Sequence, residues 1–230
     1  MTKFKTSLFT VTLAIISLVA CKDQKEASKT NAETSTDTAI EEAMKTEKVA
    51  VVLNANLATE KDLIDAGISQ NIITQLLEKR PFLSMNDFDA LLGSSIDKTE
   101  LYKKVFVPFN LNTTAEADFK MIPGVGKKMA HEFEEYRPYI NIAQFRREIG
   151  KYVDDEEVAR YENYVFVPIE LNTASEEVIK ALPGVGKRIA HEIEEYRPYT
   201  SMEQFRKEIG KYVDDKELSR LERLVYLKGK

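Results

Sequence analysis

The sequence predicts an all-α fold built from tandem repeats of about four short helices each. Three observations carry this. Leu111–Ile169 aligns without a gap on Leu171–Gly229, with about 34 of 59 positions identical. In both copies short apolar-periodic runs are punctuated by Gly or Pro. A weaker third copy lies upstream at Leu53–Phe88, where "KRPFLSMNDF" matches "YRPYTSMEQF". Self-similarity at a fixed spacing marks a repeat architecture, in which small units complete one another's cores.

The helices of the last copy follow in order. Thr173-x-x-Glu176 predicts a capping box, with Val178, Ile179 and Leu182 as the apolar stripe behind it. Pro183-Gly184 ends that helix. Gly186 opens a second, whose apolar face is Ile189, Ala190, Ile193 and Tyr196, and Arg197-Pro198 stops it. Ser201-x-x-Gln204 opens a third, with Phe205 and Ile209 inward and Gly210 at its end. Asp214-x-x-Glu217 opens the fourth, with Leu218, Leu221 and Leu224 inward. The middle copy repeats the pattern with Thr113/Glu116, Asn141/Gln144 and Asp154/Glu157, and "VFVP" reads as a short extended connector. The first copy is degenerate, with one extra residue near Asn56. It keeps Gly67 but places Ser69, Gln70 and Asn71 where the others have a glycine and two bases, so it reads as packing.

The predicted organisation is a leader at 1–20, a polar tether at 21–50, and repeats at 51–109, 110–169 and 170–230. Lys3 and Lys5 precede the apolar run Leu8–Ala20, which has the length of a signal peptide and is short for a membrane span. "LVAC" resembles the lipobox of bacterial lipoproteins, and the resemblance implies that Cys21 becomes a lipidated N-terminus on a membrane of the bacterial cell envelope. The segment after Cys21 has almost nothing to bury and reads as disordered.

The chain of 230 residues has a net charge of −5 and one cysteine, which excludes a disulfide framework and argues against coating by nucleic acid through bulk charge. "PGVGKK" lacks the spacing of a nucleotide-binding loop. His131 and His191 sit in "HEFEEY" and "HEIEEY", with no second histidine one turn on, and read as solvated helix-face residues. No nucleophile–base pair is present, so no enzyme, metal or cofactor is predicted. Arg137 and Arg197 are expected to pair with neighbouring acids.

"PGVGKKMAHE" and "PGVGKRIAHE" are the informative stretches. The glycines at both ends of Gly-Val-Gly permit positive φ and close approach of a partner. The helix that follows begins with N–H groups that have no intrahelical acceptor, at the positive end of its dipole. Two cations in that first turn oppose the dipole, which makes sense if an external anion is expected there. These residues, with "LNTA" and "EEYRPY…QF", resemble the helix-hairpin-helix repeats of ComEA-type competence proteins, over Leu111–Leu227 and weakly over Leu53–Val107. The resemblance implies an envelope-anchored receptor that holds double-stranded DNA by its phosphate backbone, without reading sequence, for DNA uptake. Carried over residue by residue, the contacts are Gly124, Val125, Gly126, Lys127 and Lys128, and Gly184, Val185, Gly186, Lys187 and Arg188.

Two features keep the expected affinity low. The family's second hairpin is replaced by "EIGKYVDD", with Asp154-Asp155 and Asp214-Asp215 where a phosphate would sit. Residues 111–170 carry 8 basic against 12 acidic side chains, and residues 171–230 carry 12 against 11. The alternative is a non-enzymatic scaffold or spacer that binds an envelope protein, in which the glycine turns are only tight corners.

Overall fold

The computed structural model describes residues 51–94 and 96–228. The predicted leader, Cys21 and the tether lie outside the described residues. The fold is all-α, with twelve helices among the described residues, four per unit. The first unit holds α1 (Glu60–Asp65), α2 (Gln70–Lys79), α3 (Met85–Leu92) and α4 (Lys98–Tyr102). The second holds α5 (Glu116–Phe119), α6 (Lys127–Glu135), α7 (Ile142–Ile149) and α8 (Asp155–Glu162). The third holds α9 (Glu176–Lys180), α10 (Lys187–Glu195), α11 (Met202–Ile209) and α12 (Asp215–Glu222).

The connectors form two-residue parallel strand pairs that tie the start of each unit to its own end. β1 (Leu53–Asn54) pairs with β2 (Val105–Phe106), β3 (Phe109–Asn110) with β4 (Val165–Phe166), and β5 (Ile169–Glu170) with β6 (Val225–Tyr226). Phe106 and Phe166 are buried, and Phe106 meets Phe109 and Tyr164 edge-on at 5.1 and 5.0 Å. Each junction thus buries its aromatic under the next unit, and one apolar core runs through the first two units. Tyr226, at the equivalent place in the third unit, is 40% exposed.

An asparagine closes every unit. Asn112 donates to the Tyr139 carbonyl at 2.9 Å and accepts from its N–H at 2.7 Å; Asn172 and Tyr199 repeat this, as do Asn56 and Phe82. Arg137 and Arg197 do more than pair with Glu134 and Glu194: each also donates to carbonyls of its unit's own connector, Leu111 and Thr114, or Leu171 and Ala174. The turn after each connector strand leaves carbonyls without ladder partners, and a planar guanidinium fork can satisfy two at once.

Four expectations are corrected. The caps of α9 and α5 are not Thr173 and Thr113. Ser175 caps α9, accepting from Val178 N–H, while Ala115 occupies the place before α5 and Thr173 Oγ1 donates to Glu170. Val178 is 46% exposed and stands off the apolar face that Ile179 and Leu182 form. As far as the corner glycine the first unit has one residue fewer, not one more, and its last helix is shorter too, 5 residues against 8. The strand pairings make Leu53 the equivalent of Phe109 and Ile169, and the shortening before the corner lies between Thr59 and Gly67. Finally, only the first glycine of each Gly-Val-Gly has positive φ, as described next.

Candidate nucleic-acid interface

Each hairpin is a short helix, a tight corner and a longer helix. In the second unit α5 ends near Phe119 and Ile122 N–H bonds back to the Phe119 carbonyl. Gly124 then takes φ +82, and Gly184 takes φ +69 in the third unit. A side chain there would be strained, which accounts for both glycines. Gly126 and Gly186 instead sit in extended backbone, φ −87 and −77, as the caps of α6 and α10. With no side chain they offer no oxygen to the helix N–H groups behind them.

Val125 and Val185 require a correction to the predicted contact set. Their side chains are buried, and their N–H groups bond to the carbonyls of Ile122 and Leu182 at 3.0 and 3.1 Å. They hold the corner against the core and present nothing outward. The flanking residues do face out: Gly124, Gly126, Lys127 and Lys128 are exposed, as are Gly184, Gly186, Lys187 and Arg188. The first main-chain bond into α6 is Ala130 N–H to Gly126 at 3.0 Å, and into α10 Ala190 N–H to Gly186 at 3.1 Å. Among the described residues the N–H groups of 126–128 and 186–188 have no main-chain acceptor.

The charges at these corners are set apart from the rest of the surface. Most arginines and lysines of the second and third units lie against acids, among them Arg146 with Glu162, Lys151 with Glu148 and Arg160 with Glu157. Lys127, Lys128, Lys187 and Arg188 form no ion pair among the described residues. Lys128 Nζ lies 5.8 Å from the Tyr152 ring centroid, and Arg188 donates to the Tyr212 carbonyl at 3.0 Å. The first turns of α6 and α10 contain no acid, whereas α5, α8, α9 and α12 each begin with two or more. Exposed donors, the positive helix end and two cations without acid partners give the corners of the second and third units the chemistry that suits an anion.

Residues 165–225 match the family described as "Helix-hairpin-helix motif". The third unit is a helix-hairpin-helix motif. The second unit repeats its hairpin geometry position by position. No curated protein and no solved structure shows significant similarity to the chain. Motifs of this kind generally bind nucleic acid, which agrees with the anion-holding corners.

The helix-hairpin-helix units place the remaining predicted residues off the corner. Asp154 and Asp214 cap α8 and α12, accepting from Glu157 and Glu217 N–H at 2.9 and 2.8 Å. Their oxygens are engaged with their own helices, which explains acids in place of a second hairpin. His131 is exposed and its Nδ1 lies 3.2 Å from Glu116 Oε2; this hydrogen bond first, and then the charges of Glu116 and Glu135, raise the imidazole above its ordinary value. Among the described residues His191 approaches only Glu195, at 3.8 Å.

Sequence reasoning missed the arginines behind the corners. Arg220 is 3% exposed, pairs with Glu217, and donates to the carbonyls of Pro183 at 2.5 Å and Gly184 at 3.1 Å. The identical position in both copies, Arg160 and Arg220, was the only available signal.

Proposed function

We propose that the chain is a non-enzymatic, lipid-anchored protein of the bacterial envelope, held through Cys21, that binds double-stranded DNA without reading sequence, in the manner of ComEA-type receptors. The binding groups are the main-chain donors at Gly126–Lys128 and Gly186–Arg188, with the four basic side chains beside them. One observation carries this reading: these four cations stand in the first turn behind corners of unpartnered N–H groups and form no ion pair among the described residues. If each hairpin holds two phosphates, the log–log salt slope is roughly −3 to −4, and the affinity sits at the weak end of non-specific binding, about 10⁻⁴ M. Many anchored copies acting on one duplex raise that to a useful level.

The test is fluorescence anisotropy of a labelled mixed-sequence duplex with the full chain, titrated across salt. Beside it runs the variant with Lys127, Lys128, Lys187 and Arg188 all changed to Glu. Binding that falls with salt and vanishes in the variant supports the reading; equal binding by the variant refutes it.

A second reading, a scaffold for an envelope protein, is favoured by a groove of about 1000 Å³ lined by all three units. Leu83, Ile140 and Tyr226 line it and are 50%, 72% and 40% exposed. On that reading the charge-reversed variant retains its partner, and Ile140→Asp loses it.

A further inference from the structure

We infer that the second hairpin does not act alone: the last helix of the first unit forms the opposite wall of its binding groove, and this groove takes the sugar–phosphate backbone of nucleic acid. The inference rests on the nucleic-acid reading above and assigns to the first unit a part in it.

A groove of about 430 Å³ opens beside the second hairpin. One wall is the corner Ile122–Gly126 with Lys120 just before it. The other is α4, through Lys98, Thr99 and Tyr102. None of the groove's lining residues is acidic. Lys120 is exposed and has no ion-pair partner among the described residues. Lys98 is held in place: its Nζ lies 2.7 Å from Asp89 Oδ1, and the Tyr102 hydroxyl donates to the same carboxylate. The Lys98 side chain remains 36% exposed beside the corner, and the Thr99 hydroxyl is exposed on the same wall.

The charge of this wall is peculiar to the first unit. With Gly67, Gly124 and Gly184 in register, Lys98 stands where the other units have Asp155 and Asp215, and Thr99 where they have Glu156 and Lys216. The unit preceding the third hairpin therefore offers Asp155 and Glu156 at these positions. The first unit lacks its own basic hairpin, with Ser69, Gln70 and Asn71 at the corner. It supplies a basic wall to its neighbour instead, and a polyanion running past the second hairpin meets cations on both sides. Phosphates neutralised add up in the salt dependence, so each such cation is separately measurable.

The experiment uses the full chain and the labelled duplex, comparing Lys98→Glu, Lys120→Glu and the hairpin pair Lys127→Glu/Lys128→Glu, each checked for folding by circular dichroism. The expected result is a salt slope smaller in magnitude by about 1 for Lys98→Glu and for Lys120→Glu. Should Lys98→Glu fail to fold for want of its Asp89 pair, Thr99→Glu, which sets an acid on the same exposed wall of the first unit, decides the matter. If the folded wall variants keep the wild-type affinity and slope while the hairpin pair weakens binding, the inference is wrong and the hairpin reading stands. If the hairpin pair also leaves binding unchanged, the hairpin reading fails as well. Displacement of the duplex by phosphatidylglycerol vesicles at equal phosphate concentration overturns the assignment to nucleic acid.

Discussion

Leu57 of the first unit stands against Gly184 of the third. A Cβ added at Gly184 would lie 2.7 Å from Leu57 Cδ1 and 2.9 Å from Arg220 Nη2. Arg223 donates to the Phe82 carbonyl at 3.2 Å and Lys216 to the Glu78 carbonyl at 3.1 Å. The first and third units therefore touch directly, and the third corner is braced from outside its own unit. Leu57 occupies the place of Thr113 and Thr173, so this contact is made by a residue that only the first unit has.

Gly184→Ala is expected to destabilise the protein more than Gly124→Ala. Both carry the left-handed backbone cost, about 1–2 kcal/mol. At Gly184 the methyl group also overlaps Leu57, and overpacking adds about 1–3 kcal/mol. At Gly124 the nearest atom is Arg160 Nη2 at 3.1 Å, the end of a flexible side chain. Urea unfolding followed by circular dichroism gives the comparison; equal losses would show that Leu57 moves freely aside.

Tyr139→Phe and Tyr199→Phe are expected to leave stability unchanged or raise it by about 1 kcal/mol. Both hydroxyls are buried without a hydrogen-bond partner among the described residues, and burial raises both phenols above their ordinary value. A buried hydroxyl without a partner has a desolvation cost of about 1–3 kcal/mol. The first unit already has Phe82 at this position. A loss above about 1 kcal/mol on thermal unfolding would mean that each hydroxyl has an internal partner.

Asn112→Ala is expected to cost about 2–4 kcal/mol, because it removes both hydrogen bonds to the buried Tyr139 peptide and leaves its N–H and carbonyl unsatisfied. Asn112→Asp keeps the acceptor and should lose less. Equal stability of wild type and the alanine variant would mean that the clamp is redundant.

The His131–Glu116 pair predicts a pH dependence. Glu116 is held below its ordinary 4.5, chiefly by its hydrogen bond to His131, and His131 is raised above 6.5 by the same bond. The raised imidazole contributes stability fully below 6.5 and loses it as pH rises through its folded value. The lowered carboxyl contributes fully above 4.5 and loses it as pH falls. The pair is thus strongest between pH 4.5 and 6.5. Proton NMR of the imidazole should show His131 titrating lower in Glu116→Gln; an unmoved midpoint would rule the contact out.

Local signals were legible where the deciding interaction is near in sequence. Ser201 and Asp214 cap their helices as expected, since a cap bonds three residues ahead. Thr173 failed because its hydroxyl found Glu170 behind it, freeing Ser175 to cap. The register at the start of the first unit needed the β1–β2 pairing, made across about 50 residues, and Lys98 gained meaning only from its place beside the second hairpin.

The sequence by itself determined four helices per unit, the glycine corners, and the cations behind them, because caps, apolar periodicity and positive φ are local properties of the chain. Tertiary structure decided which amides remain free, that Val125 and Val185 turn inward, and that Leu57 and Lys98 reach the hairpins of other units. Those outcomes depend on packing between residues far apart in the chain, which no local pattern records.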